Sequence, residues 1–244
     1  MIAALWWKEW REQLGRWAPA TVLLAGWTAL LVSARLISIR ETTAGILILG
    51  GWMLSVVLII APLPSEKTHG TWPFLCALPI ERRRVLLAKW LSGAASIAAM
   101  YAVTVLAGCV TALAVGIDAA WMAASAAPIC VSMLAYHTLF FVTLPRAKNE
   151  LDAAMAALAL AVITALWSVY ATDDSLWIKL PGLLAPGAPL TLHLATQSQL
   201  PPEDAPAAIL GVPPVIASTA LTALLWIAAP VAWLARPIAR SDKR

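Results

Sequence analysis

The chain has 244 residues, of which 61% are hydrophobic and 12% are charged, and its mean hydropathy is +0.80. A soluble domain is roughly 45–50% apolar and about 25% charged, so this chain lacks the ionised groups needed to cover a water-facing surface. Lipid is its main solvent, which excludes a soluble enzyme, a disordered chain and a nucleic-acid binder, and the net charge of +4 reports orientation in the bilayer, not an acidic ligand.

The chain opens on a basic, tryptophan-rich segment, 1–17, in which Trp7, Trp10, Leu14 and Trp17 recur at helical spacing while Lys8, Arg11, Glu12 and Arg16 fall largely elsewhere. This pattern predicts an interfacial helix with its indoles in the headgroup layer. A helix packed on its neighbours has the same pattern. The glutamates Glu9 and Glu12 among the basic residues, and the length of the segment, speak against a cleaved leader. We expect a retained first span.

A spanning helix needs about 20 mostly apolar residues, because a rise of 1.5 Å per residue must cross roughly 30 Å. Six such runs follow, at 18–37, 44–63, 91–117, 119–144, 151–172 and 212–235. Fourteen of the seventeen lysines and arginines lie in the N-terminal segment, the second-to-third and fourth-to-fifth connections and the C-terminal tail; only Arg35, Arg40 and Lys179 lie in the others. By the positive-inside rule, this places both termini in the cytoplasm. The predicted fold is an all-α integral membrane protein, a single transmembrane domain over 1–244 with six spans.

The second-to-third connection, 65–90, is expected on the cytoplasmic side. Ser65 and Glu66 form a helix start; Trp72, Leu75 and Leu78 share a face, Pro79 ends that element, and a second helical stretch begins around Glu81 and leads through Lys89 and Trp90 into the third span. Such an amphipathic pair suits either the membrane surface or a docking partner.

Glu66, Gly70-Thr71, Leu75, Leu78-Pro79, the Arg82–Arg84 cluster and Lys89 resemble the signature that follows the second helix in type-2 ATP-binding-cassette (ABC) transporter permeases. His69 and Pro73 depart from the residues commoner there. The resemblance extends to the N-terminal helix, the six spans and the length. It implies a coupling helix docked on a cytoplasmic ATPase, with Glu66, Gly70, Thr71, Arg82, Arg83 and Arg84 as the contacts. It further implies a dimer of this chain or a pairing with a homologous permease, and ATP and magnesium bound by the ATPase subunits, with no cofactor in this chain.

The fifth-to-sixth connection, 173–211, is expected to face outward. Its prolines, among them Pro186 and Pro189, punctuate apolar stretches such as Leu183-Leu184 and Leu190–Leu194. Short broken helices dipping into the outer leaflet would give this composition. The family resemblance places an outer re-entrant gate there, with Pro186, Pro189 and Leu190 as its residues.

No phosphate-binding loop, H-E-x-x-H or G-x-S-x-G sequence occurs. We therefore expect a transport subunit without an ATPase site of its own. Cys130, Met133 and His137 lie at i, i+3 and i+7 on the fourth span, a set of soft ligands that suits copper(I); a packing face with one hydrogen-bonded histidine explains the same spacing, and we read it as that. The expected function is the permease of an ABC exporter in the bacterial inner membrane. An ATP-driven scaffold that remodels a partner is one alternative; a secondary carrier or channel, which would need inverted repeats and coupling charges, is another.

Overall fold

The computed structural model describes residues 2–33, 82–116, 119–143, 150–169, 175, 179, 182–199 and 213–235. Among them all regular structure is helical: α1 (Ile2–Ser33), α2 (Arg82–Ala114), α3 (Ala120–Thr143), α4 (Glu150–Val169), α5 (Ala188–Gln199), α6 (Pro213–Thr222), a π-helical stretch (Ala223–Ala228) and α7 (Ala229–Ala235). By length and composition Arg83–Ala114 and Val215–Trp233 suffice to cross a membrane, and Trp17–Leu30 and Ala126–Val142 are shorter apolar helices. The expected second span, 44–63, and the first half of the 65–90 connection lie outside the described residues.

The predicted interfacial helix and first span are one helix. α1 runs unbroken through Pro19, and the expected tryptophan stripe is split between two sides of it. Trp7 and Leu14 are exposed, whereas Trp17 is buried and meets Trp10 edge-on, with centroids 5.4 Å apart. The face that packs inward carries Glu9, Gln13, Trp17, Thr21, Ala25, Thr28 and Val32, mostly four residues apart, as an α-helical face requires.

That face lies along α2. Glu9 meets Lys89, Gln13 meets Ser92 and Ser96, and Val32 packs with Ala112. A nearly constant offset of about eighty residues holds from end to end, so α1 and α2 run parallel and in register. Over the 23 residues from Glu9 to Val32 this contact covers about 35 Å. α3 returns antiparallel: Cys109 meets the Ala119 carbonyl at one end, and Trp90 meets Thr138 at the other. Between them Gly116 takes φ 73°, a left-handed conformation that glycine adopts without Cβ strain, and this stops α2.

α3 is the central helix, buried on nearly every side between Pro128 and Phe141. The main core joins Trp17, Ile97, Met100, Tyr101, Ile129, Met133, Tyr136, Phe140 and Leu190. α6, the π-helical stretch and α7 descend beside α3 in the same direction, with Ile227 and Val231 packed against Trp90, Ala94 and Phe141. α5 packs on α3 and α6, where Ala188 and Leu192 meet Val215.

Without a hydrophobic drive between helices in lipid, close packing and interhelical hydrogen bonds hold a bundle together. The run Ser92-Gly93-Ala94-Ala95-Ser96 lets α2 fit between α1 and α3. A Cβ on Gly93 would clash with the His137 ring. Gly93→Ala should therefore destabilise the protein by about 1–3 kcal/mol, and in a His137→Ala background, itself destabilised by the lost packing and hydrogen bond, the same substitution should cost much less. Thermal unfolding of the detergent-solubilised single and double variants measures both effects.

Candidate functional site

α2 emerges directly from the connection that carries the Arg82–Arg84 cluster, and its first four turns are tied to three other helices. On the α1 side the Lys89 ammonium is 2.9 Å from a Glu9 carboxylate oxygen, with both side chains at most 3% exposed. One turn along, Gln13 Oε1 accepts from the Ser92 hydroxyl at 3.1 Å and the Ser96 hydroxyl at 3.2 Å. The single Ser96 proton is shared with the Ser92 carbonyl, 2.9 Å away.

On the opposite side Trp90 faces α3. Its indole N–H donates to the Thr138 hydroxyl at 3.1 Å, which in turn donates to the Leu134 carbonyl at 2.9 Å. The Trp90 carbonyl accepts from His137 Nε2 at 3.2 Å. Since a carbonyl only accepts, this contact assigns the ring proton to Nε2. The His137 ring also lies against those of Trp90 and Phe141. Toward α7, the Arg83 guanidinium sits 4.7 Å over the Trp233 ring, an arrangement worth about 0.5–1 kcal/mol at an exposed site.

Among the described residues no group of three His, Cys, Asp or Glu side chains is placed to hold a metal ion. Of the soft-ligand set, His137 is engaged by Trp90, Met133 is buried in the main core, and Cys130 is a half-buried free thiol. These contacts fix the near end of α2 against α1, α3 and α7.

The expected coupling residues divide. Glu66, Gly70 and Thr71 lie outside the described residues. Arg82 is the first residue of α2; Arg83 is turned onto Trp233 and Arg84 is exposed, so Arg83 and Arg84 do not present one common face. Pro186, Pro189 and Leu190, expected as gate residues, are all buried, and Leu190 belongs to the main core with Ile129 and Met133. The Trp226 indole N–H, on the π-helical stretch, donates to the Leu184 carbonyl at 2.8 Å and ties the last span to this segment. Asp152 is exposed at the start of α4.

Two comparisons bear on identity. The sequence pattern of the ABC-2 family transporter proteins matches residues 20–236. The chain belongs to that family. It is thus a membrane permease component of ABC transport, as the connection motif and the helical fold imply. Comparison with curated proteins gives no match.

The clamp residues Glu9, Gln13, Ser92 and Ser96 are not among those that the family motif singles out. Their signal is spacing: Glu9 and Gln13 are four apart on a helix that becomes apolar, and Lys89, Ser92 and Ser96 keep the matching rhythm on α2. Removing one member of a buried ion pair strands the other charge and costs about 3–5 kcal/mol, whereas replacing both by apolar residues is often neutral. Lys89→Leu should lower the unfolding free energy in detergent by that amount, and Glu9→Leu with Lys89→Leu should recover most of it.

Proposed function

We propose that this chain is the permease of an ABC exporter, moving its substrate with ATP that is hydrolysed by a separate cytoplasmic subunit. Two copies, or one copy and a similar chain, would enclose the pathway between them, and two ATPase subunits holding ATP and magnesium would dock on residues 65–90 at the cytoplasmic face of the inner membrane. Closure of the ATPases would push on the connection, and a rigid-body movement would pass into the bundle.

One observation carries this reading: the helix that leaves the connection is bonded within four turns to α1, α3 and α7. The parallel register of α1 and α2 adds support for the six-span topology, since two parallel neighbours need a return crossing between them, and the apolar run at 44–63 has the length for it. The Trp233–Arg83 contact sets the end of α7 beside the start of α2, as expected if both termini lie in the cytoplasm.

The test is association. Mild-detergent extraction from native membranes should recover the chain with an ABC ATPase in equal amounts. Glu66→Lys and Arg84→Glu should each reduce that recovery several-fold, while Arg83→Ala should act mainly on stability. An ATPase that never co-purifies, together with unchanged behaviour of both charge reversals, would refute the proposal.

A further inference from the structure

The last span changes register part-way along. In α6 the buried residues are Val215, Ser218 and Thr222, at steps of three and four, as one α-helical face requires. Below them the residues that pack on Trp90, Ala94 and Phe141 are Ile227 and Val231. The step from Thr222 to Ile227 is five, and it crosses the π-helical stretch Ala223–Ala228, where the Ala229 N–H reaches back to the Leu224 carbonyl. At about 100° per residue in a regular helix, Ile227 and Val231 would fall on the side opposite Ser218 and Thr222. The stretch takes up one surplus residue and brings them round by about 100°.

Nothing in the stretch itself asks for this. Four of its six residues are alanine or leucine, the best α-helix formers, and none of the six is buried. Pro230 follows in α7, and its ring crowds the Trp226 carbonyl in a regular helix, yet Pro19 and Pro128 lie in α1 and α3 without a π turn. The π form is therefore held from outside, by contacts on both sides of it. On one side the Trp226 indole N–H donates to the Leu184 carbonyl at 2.8 Å, in the turn that precedes α5, and Val215 holds α6 against Ala188 and Leu192. On the other, Ile227 and Val231 sit in the Trp90 cluster and Trp233 lies under the Arg83 guanidinium.

A regular helix would undo these contacts in one step. With α6 held by α5, it brings Trp226 and Pro230 round to where Ile227 and Val231 now pack, takes the indole off Leu184 and turns Trp233 away from Arg83. Contacts at opposite ends that favour the same one of two forms are linked, so weakening one weakens the other. π turns are concentrated at functional sites, and this one joins the outer segment to the block at the start of α2.

We infer that Ala223–Ala228 is a one-residue register joint: its π form holds Trp226 on Leu184 and Trp233 under Arg83, and its α form releases both. The inference goes beyond the permease reading and needs no ATPase, so the two fail separately. The test uses the full-length chain in lipid nanodiscs, with its three cysteines replaced by alanine. Spin labels at Ala229 and, in a second sample, Ala232, both exposed on α7, are each paired with a label at Leu91 on α2. The parent should give one distance per pair. Trp226→Phe with Arg83→Gln removes the indole N–H and the cation, and should add a second distance shifted by up to about 8 Å, the chord of a 100° turn on a helix of radius about 5–6 Å. Two labels three residues apart cannot both keep their distance through such a turn. Deleting Ala223 removes the surplus residue while keeping both packed faces; it should leave the thermal midpoint nearly unchanged and abolish the second distance in the double variant. Unchanged distances in the double variant overturn the inference. So does a second distance that survives the deletion, or a deletion that prevents folding, since the extra residue would then be part of the fold and not a joint.

Discussion

Two opposite charges buried in contact between two apolar helices set the terms for the rest of the bundle. The Glu9–Lys89 pair is almost fully removed from solvent, where each ion alone carries a desolvation penalty of several kcal/mol. Neither side chain can leave the other without exposing that penalty. The pair therefore fixes α1 and α2 in one lateral position and one register, and Gln13 with Ser92 and Ser96 repeats the constraint a turn later. Apolar packing alone would give weaker registration, because in lipid a leucine face meets lipid tails nearly as well as it meets another helix.

From that constraint the arrangement of the other helices follows. With α1 fixed on one side of α2, the opposite side is left to α3, and the small residues around Gly93 let the His137 ring approach the α2 backbone. The hydrogen bonds of Trp90 and His137 then fix α2 against α3 in depth. α7 closes the near end through Trp233, and the α5 segment closes the far part of the core through Leu190. The near ends of α1, α2, α3 and α7 form one block, positioned where the connection that resembles an ATPase-docking element enters the bundle.

Much of this was legible in the sequence, because the length of apolar runs and the placement of basic residues are direct consequences of bilayer thickness and orientation. The helices found at Ala120–Thr143, Glu150–Val169 and Pro213–Ala235 coincide with predicted spans to within a few residues, and Pro19, Pro128 and Pro230 stay inside helices, as neighbours in a bundle allow. The inward faces were less legible. Glu9 reads as one more headgroup charge, since only a partner eighty residues away makes its burial tolerable. The tryptophans Trp7, Trp10 and Trp17 read as one interfacial stripe, but a face drawn at helical spacing does not say which edge meets protein and which meets lipid. The π-helical stretch at Ala223–Ala228 has no mark in its own residues.

The Glu9–Lys89 and Gln13 contacts require α1 and α2 to move as one body when the transporter works. Spin labels at the exposed positions Leu14 on α1 and Leu91 on α2 report their separation by pulsed electron resonance in the assembled complex. With the two helices held together they give one narrow distance, the same without nucleotide and with ATP trapped, to within about 3 Å, or half a helical turn. A second distance population appearing with ATP, shifted by a full turn of about 5 Å or more, would mean that the two helices slide past each other and would contradict it.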